Sequence, residues 1–381
     1  MKYFLSAGEA SGDLHAAQLI TELRKCDPDA VFSFLGGDMM SQAAGDVAPV
    51  IHYQQMAYMG FSEVIRHLPG VIRNMRTARH ALETQRPDAL ILVDYPSFNL
   101  KLAAHAAKLG IPVFYYISPK VWAWKEYRVK NISRLVRHVF CILPFETDFY
   151  RRHGVKSAVY VGNPSREEMD SRLATLESRR EFIARHNLTN RPILALVPGS
   201  RVGEIRNNLP VMASVAGMHP ELQPVVAAAP GIDPALYRRY TTYPIIDDAT
   251  TALMAHAEAA LVTSGTATLE CALIGTPQVV LYRANGSRIA YHLFKHILHV
   301  SHVSLPNLIT DREIIPEQLL HHCNDREVDD RLSAILTDGP ARQAQLDGYK
   351  QMRQMLGTTS AAAVTARLMT DALRHDNHHS K

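Results

Sequence analysis

The sequence has few cysteines and no long hydrophobic run. Its 381 residues include four cysteines, which lie far apart and form no CxxC pair: Cys26, Cys141, Cys271 and Cys323. Such cysteines are typical of free thiols in a reducing compartment and argue against a disulfide framework. The opening residues lack the apolar core and cleavage site of a secretory signal, and no stretch approaches the roughly 18 apolar residues needed to span a bilayer. We therefore expect a cytoplasmic protein whose contact with a membrane is at most peripheral.

Strong charge and the common nucleotide fingerprints are missing as well. Charged residues make up 20% of the chain and the net charge is +4, which is too mild to indicate nucleic acid but suits an anionic small substrate or a membrane surface. The loop after the first predicted strand lacks the GxGxxG spacing of a dinucleotide site, and no GK[ST] marks a P-loop. The D-x-D at Asp27-Pro28-Asp29 follows a helix and is typical of a helix stop. We predict no metal site and no cofactor.

Short apolar runs alternate with segments of helical periodicity along the chain, which predicts an α/β fold with parallel sheets covered by helices. The predicted strands are residues 3–5, 31–35, 90–93, 113–117, 139–143 and 159–161 in the first half, and 193–197, 223–227, 259–262 and 278–282 in the second. A chain of this length usually divides into domains. We predict two doubly wound, Rossmann-like domains facing a cleft, over residues 1–165 and 190–340, with a charged helical linker between them. Residues 341–381 are predicted to form C-terminal helices and a polar tail.

The first candidate site lies in a loop after a strand, because ligands of open parallel sheets bind beyond the carboxyl ends of the strands. The first strand runs into Gly8-Glu9-Ala10-Ser11-Gly12-Asp13. The glycines permit a tight turn and the close approach of a ligand, and Ser11 or Asp13 can cap the next helix. Glu9 is either a carboxylate for catalysis or hydroxyl binding, or a solvated loop acid.

Two further strands of the first half end in polar segments. The strand over residues 90–93 ends in Asp94, and the next ends in Ser118-Pro119-Lys120-Val121-Trp122-Ala123-Trp124. After a fully apolar run Asp94 should be partly desolvated, which raises a carboxyl pKa toward that of a useful general base. The alternative is a helix cap or turn former. The two tryptophans either stack on a sugar or pack the domain, and packing is the better prediction for at least one of them.

The second half carries two strand-to-helix turns suited to anions. Val197-Pro198-Gly199 leads into Ser200 and Arg201, whose guanidinium can clamp a diphosphate. The strand over residues 259–262 leads into Ser264-Gly265-Thr266-Ala267-Thr268, where the unpaired N–H groups of a helix start form an anion site. One turn further on, Glu270 either accepts both hydroxyls of a ribose or complements the helix dipole. Strand, small-residue turn and acid together predict a site for a nucleoside diphosphate.

Taken in order, these segments resemble the lipid A disaccharide synthases, inverting glycosyltransferases with the two-domain GT-B fold. The matching segments are residues 8–13, Met59-Gly60, Asp94 with Phe98-Asn99, residues 118–124, Leu143-Pro144-Phe145-Glu146, residues 198–201, residues 264–270 and Ser304-Leu305-Pro306-Asn307-Leu308. Each is short, but the ordered set over residues 8–308 is specific. The chain departs from the family at Asn163, where the family often has His.

The resemblance implies transfer of 2,3-diacylglucosamine from UDP to the 6-hydroxyl of 2,3-diacylglucosamine 1-phosphate. It places Asp94 at the position of the base and Glu9 at a second essential position, as the group that positions the acceptor or as the alternative base. It associates Arg201, Glu270 and Asn307 with the UDP-sugar. Direct displacement at the anomeric carbon needs a base and charge stabilisation for departing UDP, which Arg201 and the helix start at residues 264–268 would supply without a metal. The resemblance and the helical C-terminus also favour a homodimer.

Both implied sugars carry fatty acyl chains, and residues 56–80 offer a surface for them. Apolar residues at helical spacing lie beside arginines there, which suits an interfacial segment on the anionic lipid of the inner membrane's cytoplasmic face. The residues expected to contact acyl chains or membrane are Phe61, Val64, Ile65, Leu68, Val71, Ile72 and Met75. The alternative is an amphipathic hairpin that covers the domain core.

Two other functions are kept as alternatives. One is another GT-B enzyme acting on UDP-N-acetylglucosamine, such as the transferase that makes lipid II or a 2-epimerase. An epimerase needs neither a second sugar nor a surface that accommodates acyl chains, so the apolar stripe of residues 56–75 argues against it. The other is a non-catalytic UDP-sugar sensor or membrane adaptor, against which the presence of both Asp94 and Glu9 argues.

Overall fold

The computed structural model describes residues 1–56, 68–124, 126–283 and 302–379, which form two compact units. The first unit comprises Met1–Pro164 and Thr358–Lys381, and the second comprises Ser165–Gly357. Each unit is built on one parallel sheet with helices packed against it. The predicted α/β class is therefore confirmed.

The sheet of the first unit has, within the described residues, seven strands in the order β3-β2-β1-β4-β5-β6-β7, all paired in parallel. The strands are β1 (Lys2–Ala7), β2 (Val31–Gly36), β3 (Ile51–His52), β4 (Ala89–Val93), β5 (Val113–Tyr116), β6 (His138–Cys141) and β7 (Ala158–Tyr160). The helices are α1 (Ala10–Cys26), α2 (Asp38–Ala43), α3 (Leu68–Gln85), α4 (Pro96–Lys108), α5 (Val121–Trp124), α6 (Val129–Leu135) and α7 (Pro144–Arg152). Every residue of β4 is buried, as expected of a strand covered by helices on both faces.

The sheet of the second unit has six described strands in the order β10-β9-β8-β11-β12-β13, again all parallel. The strands are β8 (Ile193–Val197), β9 (Gln223–Ala227), β10 (Ile245–Ile246), β11 (Ala257–Thr263), β12 (Gln278–Tyr282) and β13 (Glu317–Leu319). The helices are α8 (Pro164–Ala174), α9 (Arg179–Arg185), α10 (Val202–Ala216), α11 (Pro234–Arg238), α12 (Thr250–Ala255), α13 (Thr266–Ile274), α14 (Leu305–Thr310), α15 (Asp325–Leu336) and α16 (Pro340–Leu356).

All ten predicted strands are present, and the strands that the sequence does not predict are edge strands of two or three residues: β3, β10 and β13. A pair or triplet of residues is too short to show a strand period, so the neighbouring strand decides its conformation. The predicted linker region forms α8 and α9, and Phe182 of α9 is fully buried in the core of the second unit.

The C-terminal region is divided between the two units, which differs from its prediction as one separate piece. Helix α16 belongs to the second unit, whereas α17 (Ala361–His379) belongs to the first. Ala366 and Met369 of α17 are fully buried in the same cluster as Leu19 of α1. The apolar face of α17 therefore completes the core of the first unit. Across the described ranges, every helix is too short or too polar to span a lipid bilayer.

Both sheets have a switch point, where the order of the strands reverses. It lies between β1 and β4 in the first sheet and between β8 and β11 in the second. Loops from such adjacent strands diverge to opposite sides of a sheet and leave a crevice at its carboxyl edge, where open α/β sheets bind their ligands. The paired residues at these two edges are Ala7 with Val93 and Val197 with Val262. The segments after them are those singled out in the sequence.

Because α17 completes the first unit's core, truncating its buried face should destabilise that unit. We expect Met369→Ala to lower the free energy of unfolding by about 2–5 kcal/mol, and Arg367→Ala, on the exposed face of the same helix, by less than about 0.5 kcal/mol. Urea titration followed by tryptophan fluorescence reports on this unit, since both tryptophans lie in it. Equal effects of the two changes would contradict the packing of α17.

Candidate active site

The backbone at the carboxyl edge of the first sheet is strained. Asp94 and Tyr95 directly after β4 have φ of 43° and 49°, and Ile117 directly after β5 has φ of 59°. Left-handed conformations cost non-glycine residues on the order of 1–3 kcal/mol each and cluster at functional sites. The chain therefore turns sharply at the ends of two neighbouring strands, and Asp94 stands at the first of these turns.

The side-chain amide of Asn99, on α4, connects the ends of β1 and β4. Its fully buried side chain accepts a hydrogen bond from Ser6 Oγ at 2.7 Å and donates to the carbonyl oxygen of Asp94 at 2.7 Å. Longer contacts of 3.3 Å reach the carbonyl oxygens of Ser6 and Val93. Tyr115 Oη also donates to the Asp94 carbonyl at 2.8 Å. One amide thus joins the ends of β1 and β4.

The loop after β1 approaches the turn after β4 closely. Gly8 is buried, and a Cβ built on it would collide with the ring of Tyr95. Glu9 follows as the exposed N-cap of α1, and its side chain makes no capping hydrogen bond. Ser11 is exposed on the first turn. The carboxylate of Glu9 and the hydroxyl of Ser11 are therefore accessible from solvent.

Gly12 and Asp13, in the predicted ligand loop after β1, make packing contacts and hydrogen bonds within the protein. Asp13 is 2% exposed and accepts backbone hydrogen bonds from Gly37 at 2.6 Å and Met39 at 3.1 Å, at the start of α2. A Cβ on Gly12 would lie 3.3 Å from that of Ala7. Both residues hold helices against β1 and β2.

The pKa of the Asp94 carboxyl is shifted by its surroundings. Its side chain is reachable by solvent, yet the protein around the carboxyl raises its pKa above the usual value. The charge of Lys120 opposes this effect and the charge of Glu9 adds to it, while a hydrogen bond from the Tyr95 backbone also lowers the pKa. Burial has the largest of these effects, so the pKa stays raised and Asp94 is a stronger base than an ordinary aspartate. Glu9 and Lys120 are its two charged neighbours in this balance.

Trp122 packs rather than presenting its ring. It is 8% exposed, and its indole Nε1 donates to Glu146 at 3.0 Å; the side chain of Trp124 lies outside the described residues.

Asn163, at the position where the family often has His, is buried and donates to the Ile142 carbonyl at 2.9 Å. Its contact is therefore structural.

In the second unit, the start of α10 is already occupied by a carboxylate of the protein. Glu204 Oε2 accepts the backbone N–H groups of Ser200 at 3.0 Å and Arg201 at 3.3 Å. Both N–H groups are therefore bonded within the protein. The Arg201 guanidinium lies 3.5 Å from Glu204 Oε1, but its side chain is 71% exposed, so the guanidinium and the Ser200 hydroxyl are the groups at this turn that a ligand could reach. Glu204 stands three residues after the N-cap Arg201, the position from which a glutamate reaches back to the N-cap N–H, and this spacing could have revealed the contact.

Among the described residues, no carboxylate accepts from the N–H groups at the start of α13. Its N-cap is Gly265, which has no side-chain cap and open space where a Cβ would stand. Ser264 and Thr268 turn their hydroxyls inward, donating to the carbonyls of Val303 at 3.0 Å and Gly265 at 2.8 Å. Thr266 is exposed and Ala267 half-buried. The N–H groups of this helix start carry partial positive charge, so of the two turns this one is the better suited to an anion.

Glu270 lies on α13, half-buried. Burial raises its carboxyl pKa above the usual value, the charge of Glu168 adds to this, and Arg172 opposes it. Glu168 and Arg172 form an ion pair on α8 at 2.6 Å. Glu270 is therefore partly desolvated, unlike an exposed acid that only complements the helix dipole.

Asn307, which the resemblance associates with the UDP-sugar, has all of its amide hydrogen-bonding groups bonded within the protein. It is fully buried; Nδ2 donates to the Ile315 carbonyl at 2.9 Å and Glu317 at 2.8 Å, and Oδ1 accepts the N–H groups of Ile314 and Ile315 at 2.8 and 2.9 Å. These four bonds use the whole capacity of an amide. Glu317 also accepts from Ser304 Oγ at 2.6 Å. Asn307 thus positions the loop that contacts Ser264.

Of the predicted acyl-contact residues, Phe61, Val64, Ile65 and the side chain of Leu68 lie outside the described residues. On α3, Ile72 is 44% exposed, Val71 is half-buried, and Met75 is 9% exposed and faces the interior, which corrects its prediction. Arg73, Arg76 and Arg79 are exposed.

No group of three or more His, Cys, Asp or Glu side chains that could hold a metal ion occurs in the described part of the chain.

Comparison with known proteins identifies the family. The family model for lipid-A-disaccharide synthetase matches residues 3–368. The chain belongs to this family. It is 39% identical over 377 residues to the lipid-A-disaccharide synthase of Myxococcus xanthus, covering 96% of each chain, and 38% identical over 380 residues to that of Nitrosococcus oceani, covering 97% of this chain and 96% of the other. The predicted resemblance and the predicted glycosyltransferase class are confirmed.

Solved structures share the fold at low identity. The UDP-GlcNAc 2-epimerase of Neisseria meningitidis, bound to UDP-GlcNAc, has a TM-score of 0.63 and 12% identity, with 98% of this chain and 100% of that chain covered. The glycotransferase of kitacinnamycin has a TM-score of 0.63 and 12% identity, with 98% and 99% covered. At such identity the likeness shows the fold alone. Since curated relatives at 36–39% identity are lipid-A-disaccharide synthases, the epimerase alternative is not favoured.

Proposed function

We propose that this lipid-A-disaccharide synthetase family member transfers 2,3-diacylglucosamine from UDP to the 6-hydroxyl of 2,3-diacylglucosamine 1-phosphate, with Asp94 as the general base. The observation that carries the assignment of the base is the position and the raised pKa of Asp94. It stands on a strained turn at the switch point of the first sheet, and its carboxyl pKa is raised by burial. Raised basicity and a fixed position are what proton abstraction from a hydroxyl requires.

The reaction is a single displacement. Asp94 removes the proton from the acceptor 6-hydroxyl, whose oxygen forms a bond to the anomeric carbon of the donor as the bond from that carbon to the UDP oxygen breaks. Inversion at this carbon gives the β(1→6) disaccharide 1-phosphate and UDP. Glu9 positions the acceptor or serves as the alternative base. Its exposed carboxylate fits hydrogen bonding to sugar hydroxyls.

Binding and release of the diphosphate fall to the second unit. The open N–H groups at Gly265, Thr266 and Ala267 and the exposed guanidinium of Arg201 supply positive charge without a counter-carboxylate at the α13 start. Glu270 would accept the ribose hydroxyls. Ser264, Thr268 and Asn307 support this role by holding the loop, since their polar groups are bonded within the protein.

Acylated substrates require contact with lipid. The exposed arginines of α3, with Ile72 beside them, support peripheral binding of the first unit to the anionic cytoplasmic face of the inner membrane. The buried Met75 shows that the opposite face of α3 covers the core. A homodimer, which the sequence favours, would be detected by light scattering in detergent.

The two helix starts of the second unit allow a matched test of diphosphate binding. Gly265→Ala and Gly203→Ala each add a methyl group to open space at a helix start. We expect Gly265→Ala to weaken UDP binding at least about tenfold, because the methyl fills the space of the phosphate, and Gly203→Ala to leave it unchanged. Calorimetric titration with UDP measures both. Equal affinities would contradict the assignment of α13.

The reaction is tested by incubating the chain with UDP-2,3-diacylglucosamine and 2,3-diacylglucosamine 1-phosphate in detergent and following UDP and disaccharide by mass spectrometry. We expect Asp94→Asn to lower kcat by about 10²–10⁴-fold and to remove the acid limb of the pH profile. Glu9→Gln should lower activity but keep that limb and move it to lower pH, since the Glu9 charge raises the Asp94 pKa.

The control is Asp148→Asn, the same change at an exposed carboxylate of the first unit, which should behave as wild type. An acid limb that survives in Asp94→Asn and vanishes in Glu9→Gln would transfer the role of base to Glu9. Absence of disaccharide from folded wild-type protein that binds UDP would overturn the substrates.

A further inference from the structure

Lys120 follows β5, the strand that pairs with β4, and the backbone N–H of Asp94 donates to the Tyr116 carbonyl of β5 at 3.4 Å. The segment of residues 118–122, called the β5 loop below, leaves the sheet at the left-handed Ile117 and includes the first two residues of α5. Lys120 is exposed on this loop, and its charge acts on the Asp94 carboxyl. Two residues later Trp122 is buried. The position of the cation therefore depends on how firmly the indole is fixed.

The first turn of α7 fixes that indole on two sides. Phe145 meets the Trp122 ring edge-on, with centroids 5.0 Å apart and an interplanar angle of 84°. Glu146 Oε1 accepts the indole N–H at 3.0 Å. Tyr150, on the same helix, donates to the Pro119 carbonyl at 3.4 Å. Helix α7 thus contacts the β5 loop at both of its ends.

Glu146 is more than a helix cap. Its second oxygen accepts the N–H groups of Ile142 at 3.2 Å and Leu143 at 3.1 Å, which caps α7. A capping glutamate is ordinarily solvated, as Glu181 is in α9, whereas Glu146 is 1% exposed and forms no ion pair with any described basic residue. Burial raises its carboxyl pKa to about 7. Capping alone does not require this costly placement.

We infer that Glu146 is a positioning residue of the active site: by anchoring Trp122 it holds the β5 loop so that Lys120 stays beside Asp94. This inference rests on the proposed role of Asp94 as the base. Lys120 lowers the Asp94 pKa, so loss of the anchor should let the cation move away and raise that pKa. The charged side chains that act on the Asp94 carboxyl are Lys120 and Glu9, and the Asp94 charge in turn raises the pKa of Tyr115.

The test compares pH profiles of kcat/KM. Lys120→Met should move the acid limb to higher pH by on the order of half a unit or more, and Glu146→Gln should move it in the same direction. Glutamine still caps α7 through its carbonyl oxygen, but its amide nitrogen then faces the indole N–H and cannot accept from it. The double variant should shift the limb no further than Lys120→Met alone, because both changes act through one charge.

Glu181→Gln is the control, the same change at an exposed capping glutamate of the second unit, and should leave the limb in place. If Glu146→Gln fails to fold, Trp122→Phe removes the indole donor while keeping a ring against Phe145, and should shift the limb likewise. An unmoved limb in the folded variant, or additive shifts in the double variant, would overturn the positioning role. A limb that persists in Asp94→Asn would instead overturn the proposed base, so the two failures are distinguishable.

Discussion

The hydrogen bonds of Asn99 connect the two strands on which the first unit's site depends. The loop bearing Glu9 follows β1 and the turn bearing Asp94 follows β4, at the switch point where loops diverge. Nothing in a parallel sheet fixes the relative positions of two such loops. The buried amide does so, because it bonds Ser6 on one strand and the Asp94 carbonyl on the other. A left-handed Asp94 persists because its surroundings over-determine it.

In the second unit, too, polar side chains near the switch point form hydrogen bonds within the protein. Its carboxylates Glu204 and Glu317 are turned inward onto backbone N–H groups and loop side chains, so the rigid parts of the site are satisfied within the protein. Among the described residues no carboxylate caps the start of α13, and the guanidinium of Arg201, 3.5 Å from Glu204, is largely exposed. The diphosphate proposed to bind at α13 would meet positive partial charge there. Preorganisation of this kind lowers the cost of binding a diphosphate.

The sequence could predict the strands and the loops that follow them, because a run of buried apolar residues is visible locally and ligand loops lie at its carboxyl end. It could not predict which groups Asp13 and Asn307 bind. Asp13 accepts from Gly37, which is distant in sequence, and Asn307 donates to Glu317, which the folding of the intervening loop brings close. Helix α17 is a similar case. Its apolar face is readable, but the core that buries it belongs to the start of the chain. Local patterns locate elements, whereas tertiary partners decide what each polar group does.

The most direct measurement of the Asn99 constraint is the kcat of Asn99→Ala alongside its affinity for UDP. We expect kcat to fall on the order of 10²-fold, because misplacement of reacting groups by about 1 Å has that effect, while UDP affinity stays unchanged because its proposed site is in the second unit. Ser6→Ala, which removes one of the amide's bonds, should lie between this variant and wild type. A folded Asn99→Ala enzyme with wild-type kcat would contradict the claim that this amide holds the catalytic edge of the sheet.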